Sequence, residues 1–217
     1  MVTPAPFRVM DCSATVLAIG RSALTLRELR DHVAAAPADS VSHHFYDALL
    51  RPEFDHPEFR NDFARWAIRQ LGDVVLAERL GALDALDHPD PEALRGRLLE
   101  AIEDRLAELP QVPQTEPGKE FHFLRSQYVV LDTGLSAATP ADLAALVPQL
   151  STGSVFYHFI DARRRPPVGE DDLSSWLHGW GPDYQPICRR LADIDVYLWS
   201  LSELRERVAA CLAARGA

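Results

Sequence analysis

The sequence predicts a mostly α protein built as two tandem homologous helical domains, each of about five helices with at most one short strand. Three observations carry that expectation. First, sliding the chain by 114 positions lays Phe7 to Pro52 over Phe121 to Pro166 without a gap, and seventeen of the forty-six pairs are identical. Shuffled composition would give roughly three or four. Second, the match resumes after a four-residue shortening, with Trp66 over Trp176, Arg79-Leu80 over Arg190-Leu191 and Leu94-Arg95 over Leu204-Arg205. Third, helix start and stop signals recur in the same order in both halves. The expected organisation is a first repeat domain over residues 1–109, a proline-rich linker over 110–120 and a second repeat domain over 121–217.

Each copy opens on a mixed aromatic and β-branched stretch, Phe7 to Ile19 and Phe121 to Thr133. It reads as a short strand or a strand entering a helical turn, closed at Gly20 and Gly134 by a residue that tolerates positive φ. Thr25 and Thr139 stand where an N-cap belongs, and Pro140 occupies a first-turn slot. The helix after Thr25 places Leu26, Leu29 and Val33 on one face and ends at Pro37. Ser40 and Ser154 are expected to start the next helix, whose inner face carries Val41, His44, Phe45, Ala48 and Leu49. Asn61 caps a helix burying Phe63, Trp66, Ala67 and Leu71, and Gly72 stops it. Asp73 caps Val74 to Leu83. Asp90-Pro91 starts the last helix, with Leu94, Leu98, Ile102 and Leu106 inward. In the second copy Gly179-Trp180-Gly181-Pro182 interrupts helical sequence, so its fourth helix is expected to be short or distorted.

Composition bounds the rest. Hydrophobic residues make up 47% of the 217 and charged residues 25%, the profile of a folded soluble chain. A net charge of −10 argues against a phosphate-backbone binder, so nucleic acid is not an expected partner. Lys119 is the only lysine, and the Arg163-Arg164-Arg165 cluster reads as a solvated helix end. Three cysteines without C-x-x-C spacing offer neither a disulfide framework nor a zinc knuckle. No signal-peptide layout or membrane-length apolar run is present, which points to a cytoplasmic protein with no membrane partner.

The polar residues that recur are Ser40, His44, Asp47, Arg51, Asp62, Arg79, Asp84 and Arg95, over Ser154, His158, Asp161, Arg165, Asp172, Arg190, Asp195 and Arg205. Ser40, His44 and Asp47 have the helical spacing of a catalytic triad, but no nucleophile elbow or oxyanion hole accompanies them. The preferred reading is an inward histidine oriented by a carboxylate and bonded to backbone of a neighbouring helix. Candidate ligand-binding residues are therefore His44, Asp47, Asp62, Trp66, His158, Asp161, Asp172 and Trp176. No catalytic residue is assigned. His43, Asp47, His56 and Glu58 are the weaker candidates for a first-row metal, and of these His43 becomes Tyr157 and His56 has no counterpart in the second copy.

The strings Ser-Val-x-x-His-Phe, Asn61-Asp62-Phe63-Ala64-Arg65-Trp66 and Leu76-Ala77-Glu78-Arg79-Leu80 resemble an uncharacterised bacterial and archaeal domain-of-unknown-function family. Its pattern is a Ser-Ile-Tyr-Tyr-His-like segment, an Asn-Asp-Phe-x-x-Trp segment and a late Leu-Arg helix. The second copy keeps Ser154, Val155, Tyr157 and His158 but reads Asp171-Asp172-Leu173 at the second segment. The resemblance implies no activity, cofactor or catalytic residue. The sequence thus favours a non-catalytic binding or adaptor protein, acting on a protein partner or small ligand through a groove between two pseudo-equivalent domains. The alternative is a metal-assisted or histidine-based hydrolase or lyase in the first repeat. Oligomeric state stays open, and no cofactor is expected.

Overall fold

The computed structural model describes residues 4–47, 59–86, 88, 90–165 and 169–213. It overturns the expected pair of tandem, mostly helical domains with at most a short strand each. Strand β1 (Phe7–Ala23) and strand β2 (Phe121–Ala137) are 17 residues each and pair in one two-stranded sheet, so the fold mixes α and β. The pairing is antiparallel. Thr133 Oγ1, late in β2, donates to Val9 O early in β1 at 2.7 Å, whereas Leu24 O, just after β1, accepts from Thr115 N ahead of β2. The local signal misled because Gly20 and Gly134, with φ of 71° and 75°, lie inside the strands and do not end them.

Helices among the described residues are α1 (Leu26–Ala35), α2 (Ala38–Tyr46), α3 (Asp62–Trp66), α4 (Val74–Gly81) and α5 (Pro91–Glu108) between the strands. After β2 come α6 (Pro140–Leu146), α7 (Thr152–Val155), α8 (Asp172–His178), α9 (Gln185–Ala192) and α10 (Leu201–Ala213). A π-helical turn extends α3 through Ala67–Leu71, and another extends α7 through Phe156–Ile160. None of these helices is long and apolar enough to cross a membrane.

The chain divides into two compact units, and the division falls inside both strands. One unit is continuous, Thr15–Gln127; the other is split, Met1–Ala14 with Tyr128–Ala217. In the continuous unit α1 to α5 bury Leu26, Leu29, Val33, Phe63, Leu80, Leu94, Leu98 and Ile102, and the opening of β2 adds Phe121 and Phe123 to that core. In the split unit the buried side chains of α6 to α10, among them Leu143, Phe156, Phe159, Leu177, Leu191 and Leu204, are joined by Phe7 and Val9 of β1. Each helical set is thus completed by the opening of the strand that does not directly precede it in the chain.

Local chemistry explains most helix ends. Thr25 and Thr139 make capping boxes with Glu28 and Asp142, while Asn61, Asp73 and Asp90 cap α3, α4 and α5. Gly72 ends the α3 extension at a φ of 65°. Two expectations fail. Ser40 does not cap α2, which begins at Ala38 after Pro37, and Ser151, not Ser154, caps α7. The Gly179–Pro182 break stays ahead of α9, which has 8 residues, the same as α4.

Candidate functional site

In the continuous unit α2 carries an unbroken run of buried residues from Ser40 to Asp47, including two histidines. His44 Nδ1 lies 2.9 Å from Asp62 Oδ2, and its Nε2 accepts the backbone amide of Leu124 at 3.0 Å. An amide can only donate, so Nε2 carries the lone pair and the ring proton sits on Nδ1, directed at the carboxylate. Ser40 Oγ donates to Leu124 O at 2.7 Å, and Trp66 Nε1 donates to Lys119 O at 3.0 Å. Phe121 rests against His44 with ring centroids 4.7 Å apart and stacks on Phe63 at 4.8 Å. The helices therefore hold the start of β2 by backbone bonds as well as by apolar burial.

The split unit repeats the histidine, carboxylate and indole contacts, but Ser154 Oγ accepts from Ser151 Oγ at 3.1 Å where Ser40 bonds a strand carbonyl. His158 Nδ1 lies 2.7 Å from Asp172 Oδ2, and its Nε2 accepts the Met10 amide at 2.9 Å. Trp176 Nε1 donates to Ala5 O at 2.7 Å, and Phe7 packs on His158 at 4.9 Å. Asp62 and Asp172 each sit in the first turn of a helix, where the dipole favours a carboxylate.

Asp47 and Asp161, expected beside His44 and His158, go elsewhere. Asp47 binds His43 Nδ1 at 2.7 Å, and Asp161 pairs with Arg164 and Arg165. Helical spacing nominated the nearest carboxylate, but the partners lie 18 and 14 residues away on the next helix. The expected backbone partner is likewise corrected, since each histidine bonds a strand. Ser126, which local spacing could not reveal, joins His43 and Asp47: its Oγ stands 2.8 Å from His43 Nδ1 and donates to Asp47 Oδ2. This Ser-His-Asp group is not a triad. Serine and aspartate address the same ring nitrogen, whereas proton relay needs one on each.

His43, His44 and Asp62 have ligand atoms within 4.8 Å of one another. A metal there would have to displace the Leu124 amide or the Asp62 bond from His44. His56 and Glu58 lie outside the described residues, as do Ala48, Leu49 and Arg51.

Both latches face shallow clefts. One, about 210 Å³, is lined by His44, Asp62, Arg65, Trp66, Arg69 and Phe121 among others. The other, about 500 Å³, is lined by Arg8, Tyr157, His158, Arg165, Asp172 and Trp176 among others. Arg165 lies 4.1 Å over the Tyr157 ring and reaches Asp172 Oδ2 at 2.9 Å. Asp47 and Asp161 line neither cleft, so the eight candidate residues separate into two cleft trios and two outliers.

Residues 4–213 match a family of unknown function, DUF5752. The chain is similar in structure to OrfY from Thermoproteus tenax, with a TM-score of 0.80 and 26% sequence identity over 98% of this chain and 96% of that one. No curated protein matches it.

Proposed function

The chain belongs to the DUF5752 family of unknown function, and from that premise we propose that it is a non-catalytic binding protein. Within each of its two units a helix-borne histidine holds the amide of a strand. One observation carries this reading: His44 and His158 have both ring nitrogens committed, Nδ1 to a carboxylate and Nε2 to a strand amide. Neither ring retains a lone pair with which to abstract a proton or hold a metal. Binding is assigned to the two clefts within the units, where indole and guanidinium groups, the types that dominate protein interfaces, stand side by side. A protein partner or a small ligand is the expected occupant.

Imidazole nitrogen NMR on the full chain tests the carrying observation. Both rings should report a proton on Nδ1 and should not change when zinc is added. Rings with exposed, protonatable Nε2 would end the reading. A pull-down from the native host should then recover a partner that is lost with Arg65→Glu/Arg69→Glu. Recovery of the bare monomer alone counts against the adaptor role.

A metal-assisted enzyme is the second reading, supported by the His43, His44 and Asp62 cluster. The position matching His43 in the other unit is Tyr157, so that cluster is not repeated. Elemental analysis of untagged protein decides: a full equivalent of a transition metal favours the enzyme, and less than about a tenth of an equivalent rejects it.

A further inference from the structure

An aromatic plug in the continuous unit is missing at the corresponding place in the split unit, and a cavity takes its place. The two capping residues give the register. Asn61 accepts from the Ala64 amide at 2.9 Å, and Asp171 accepts from the Ser174 amide at 2.9 Å. Two residues before Asn61 stands Phe59, 8% exposed, with its ring so close to Gly81 that a Cβ there would lie 3.0 Å from Cδ1 and 3.8 Å from the Ala64 methyl. Two residues before Asp171 stands Gly169, whose φ of 90° suits no phenylalanine. In the register of Arg79-Leu80 over Arg190-Leu191, Cys188 replaces Ala77, Arg189 replaces Glu78 and Ala192 replaces Gly81, while Ser174 replaces Ala64. An apolar, filled site has become a polar, open one.

The cavity measures about 410 Å³ and is lined by Arg163, Asp171, Ser174, His178, Cys188 and Arg189 among others. That volume is in the range of small-molecule sites. Its acidic members are engaged locally: Asp171 Oδ2 accepts from Ser174 Oγ at 2.7 Å, and Glu170 pairs with His178 at 2.7 Å. Arg163 lies 4.7 Å over the Phe159 ring and donates to Leu191 O at 3.4 Å, whereas Arg189 has no ion-pair partner among the described residues. The Arg189 guanidinium in a cavity also lined by Ser174 and Cys188 selects an anion with a short organic body.

We propose that this cavity is a binding site for one small organic or inorganic anion, carboxylate or phosphate, with Arg189 meeting the charge. It lies apart from the two latch clefts and stands even if those bind nothing. Calorimetry on the full chain, with malonate and inorganic phosphate as separate probes, should show one equivalent of at least one anion bound. Arg189→Glu and Ala192→Phe should each weaken binding at least tenfold, and Glu78→Gln in the plugged unit should not. Failure of both probes, a stoichiometry of two (which would send binding to the paired clefts), or unchanged affinity in Ala192→Phe overturns the site. A second measurement does not depend on choosing the right anion. In a Cys12→Ser/Cys211→Ser chain, maleimide should label Cys188 through the cavity, and Ala192→Phe should slow it tenfold. Equal labelling rates in the two proteins would deny that the cavity is the route.

Discussion

Leu124 has both of its backbone polar groups bound by side chains of one helix, its amide by His44 at 3.0 Å and its carbonyl by Ser40 at 2.7 Å. Removing the imidazole leaves the amide unmatched in a part-buried setting, a loss toward the lower end of about 1–3 kcal/mol. His44→Ala should therefore lower the melting temperature by several degrees, since about 1 kcal/mol moves a chain of 150–250 residues by about 2–4 °C. His158→Ala should behave alike, because Met10 bonds it in the same way. Differential scanning calorimetry checks this, and a mutant that melts with the wild type would remove the latch.

Gly153 gives a sharper steric test in the split unit. A Cβ there would fall 2.3 Å from the Cys12 carbonyl oxygen and 2.4 Å from Asp11 Oδ1. A carbonyl inside a strand cannot swing aside, so Gly153→Ala should destabilise by about 1–3 kcal/mol. Asp39 occupies the matching position in the other half and pairs with Arg125 at 3.6 Å on the surface. Asp39→Ala should stay within about 0.5 kcal/mol of wild type. Equal melting shifts for the two substitutions would contradict the close approach.

The caps and the buried faces were legible because they depend on neighbours a few residues away: Thr25 with Glu28, Asn61 with Ala64, and Leu94, Leu98 and Ile102 on one side of α5. Strand length was not, because Gly20 and Gly134 imitate stops. The choice of bundle for each strand could not be read at all. Aligning Phe7 with Phe121 gives the same score whether each strand packs on its own helices or on those of the other half. For the same reason Asp62 and Asp172 were nominated as lining residues, while their role as carboxylate partners of His44 and His158 stayed hidden behind the nearer Asp47 and Asp161. The cavity beside Asp171 was hidden differently. It depends on Phe59 and Gly169, which fall where the two halves differ in length.

The last prediction concerns that capping position, where the halves carry Asn61 and Asp171. Burial pushes the Asp171 carboxyl above its ordinary range, against the opposing pull of its Ser174 hydrogen bonds and the Arg163 charge. A carboxyl raised in the folded state binds its proton more tightly there than in the unfolded chain. Its contribution to stability is therefore present at pH below the ordinary carboxylate range and is lost as pH rises through the folded value. Asn61 shows what a neutral residue does at the same place: its oxygen caps Ala64, and its nitrogen donates to Leu80 O at 2.8 Å. Asp171→Asn can keep the cap on Ser174 and direct its nitrogen toward Leu191 O, the matching carbonyl, which now receives Arg163 Nη2 at 3.4 Å. Glu170, His178, Arg163 and Arg189 line the same cavity in both proteins, and the Cys188 thiol, pushed up by burial and by Asp171, is kept out of the comparison by working below the thiol range. The stability advantage of the variant should be smallest near pH 4 and grow toward pH 8 in urea titrations run without phosphate or carboxylate buffers. A difference that is flat with pH, or that shrinks as pH rises, would show that the folded state does not hold this carboxyl against ionisation.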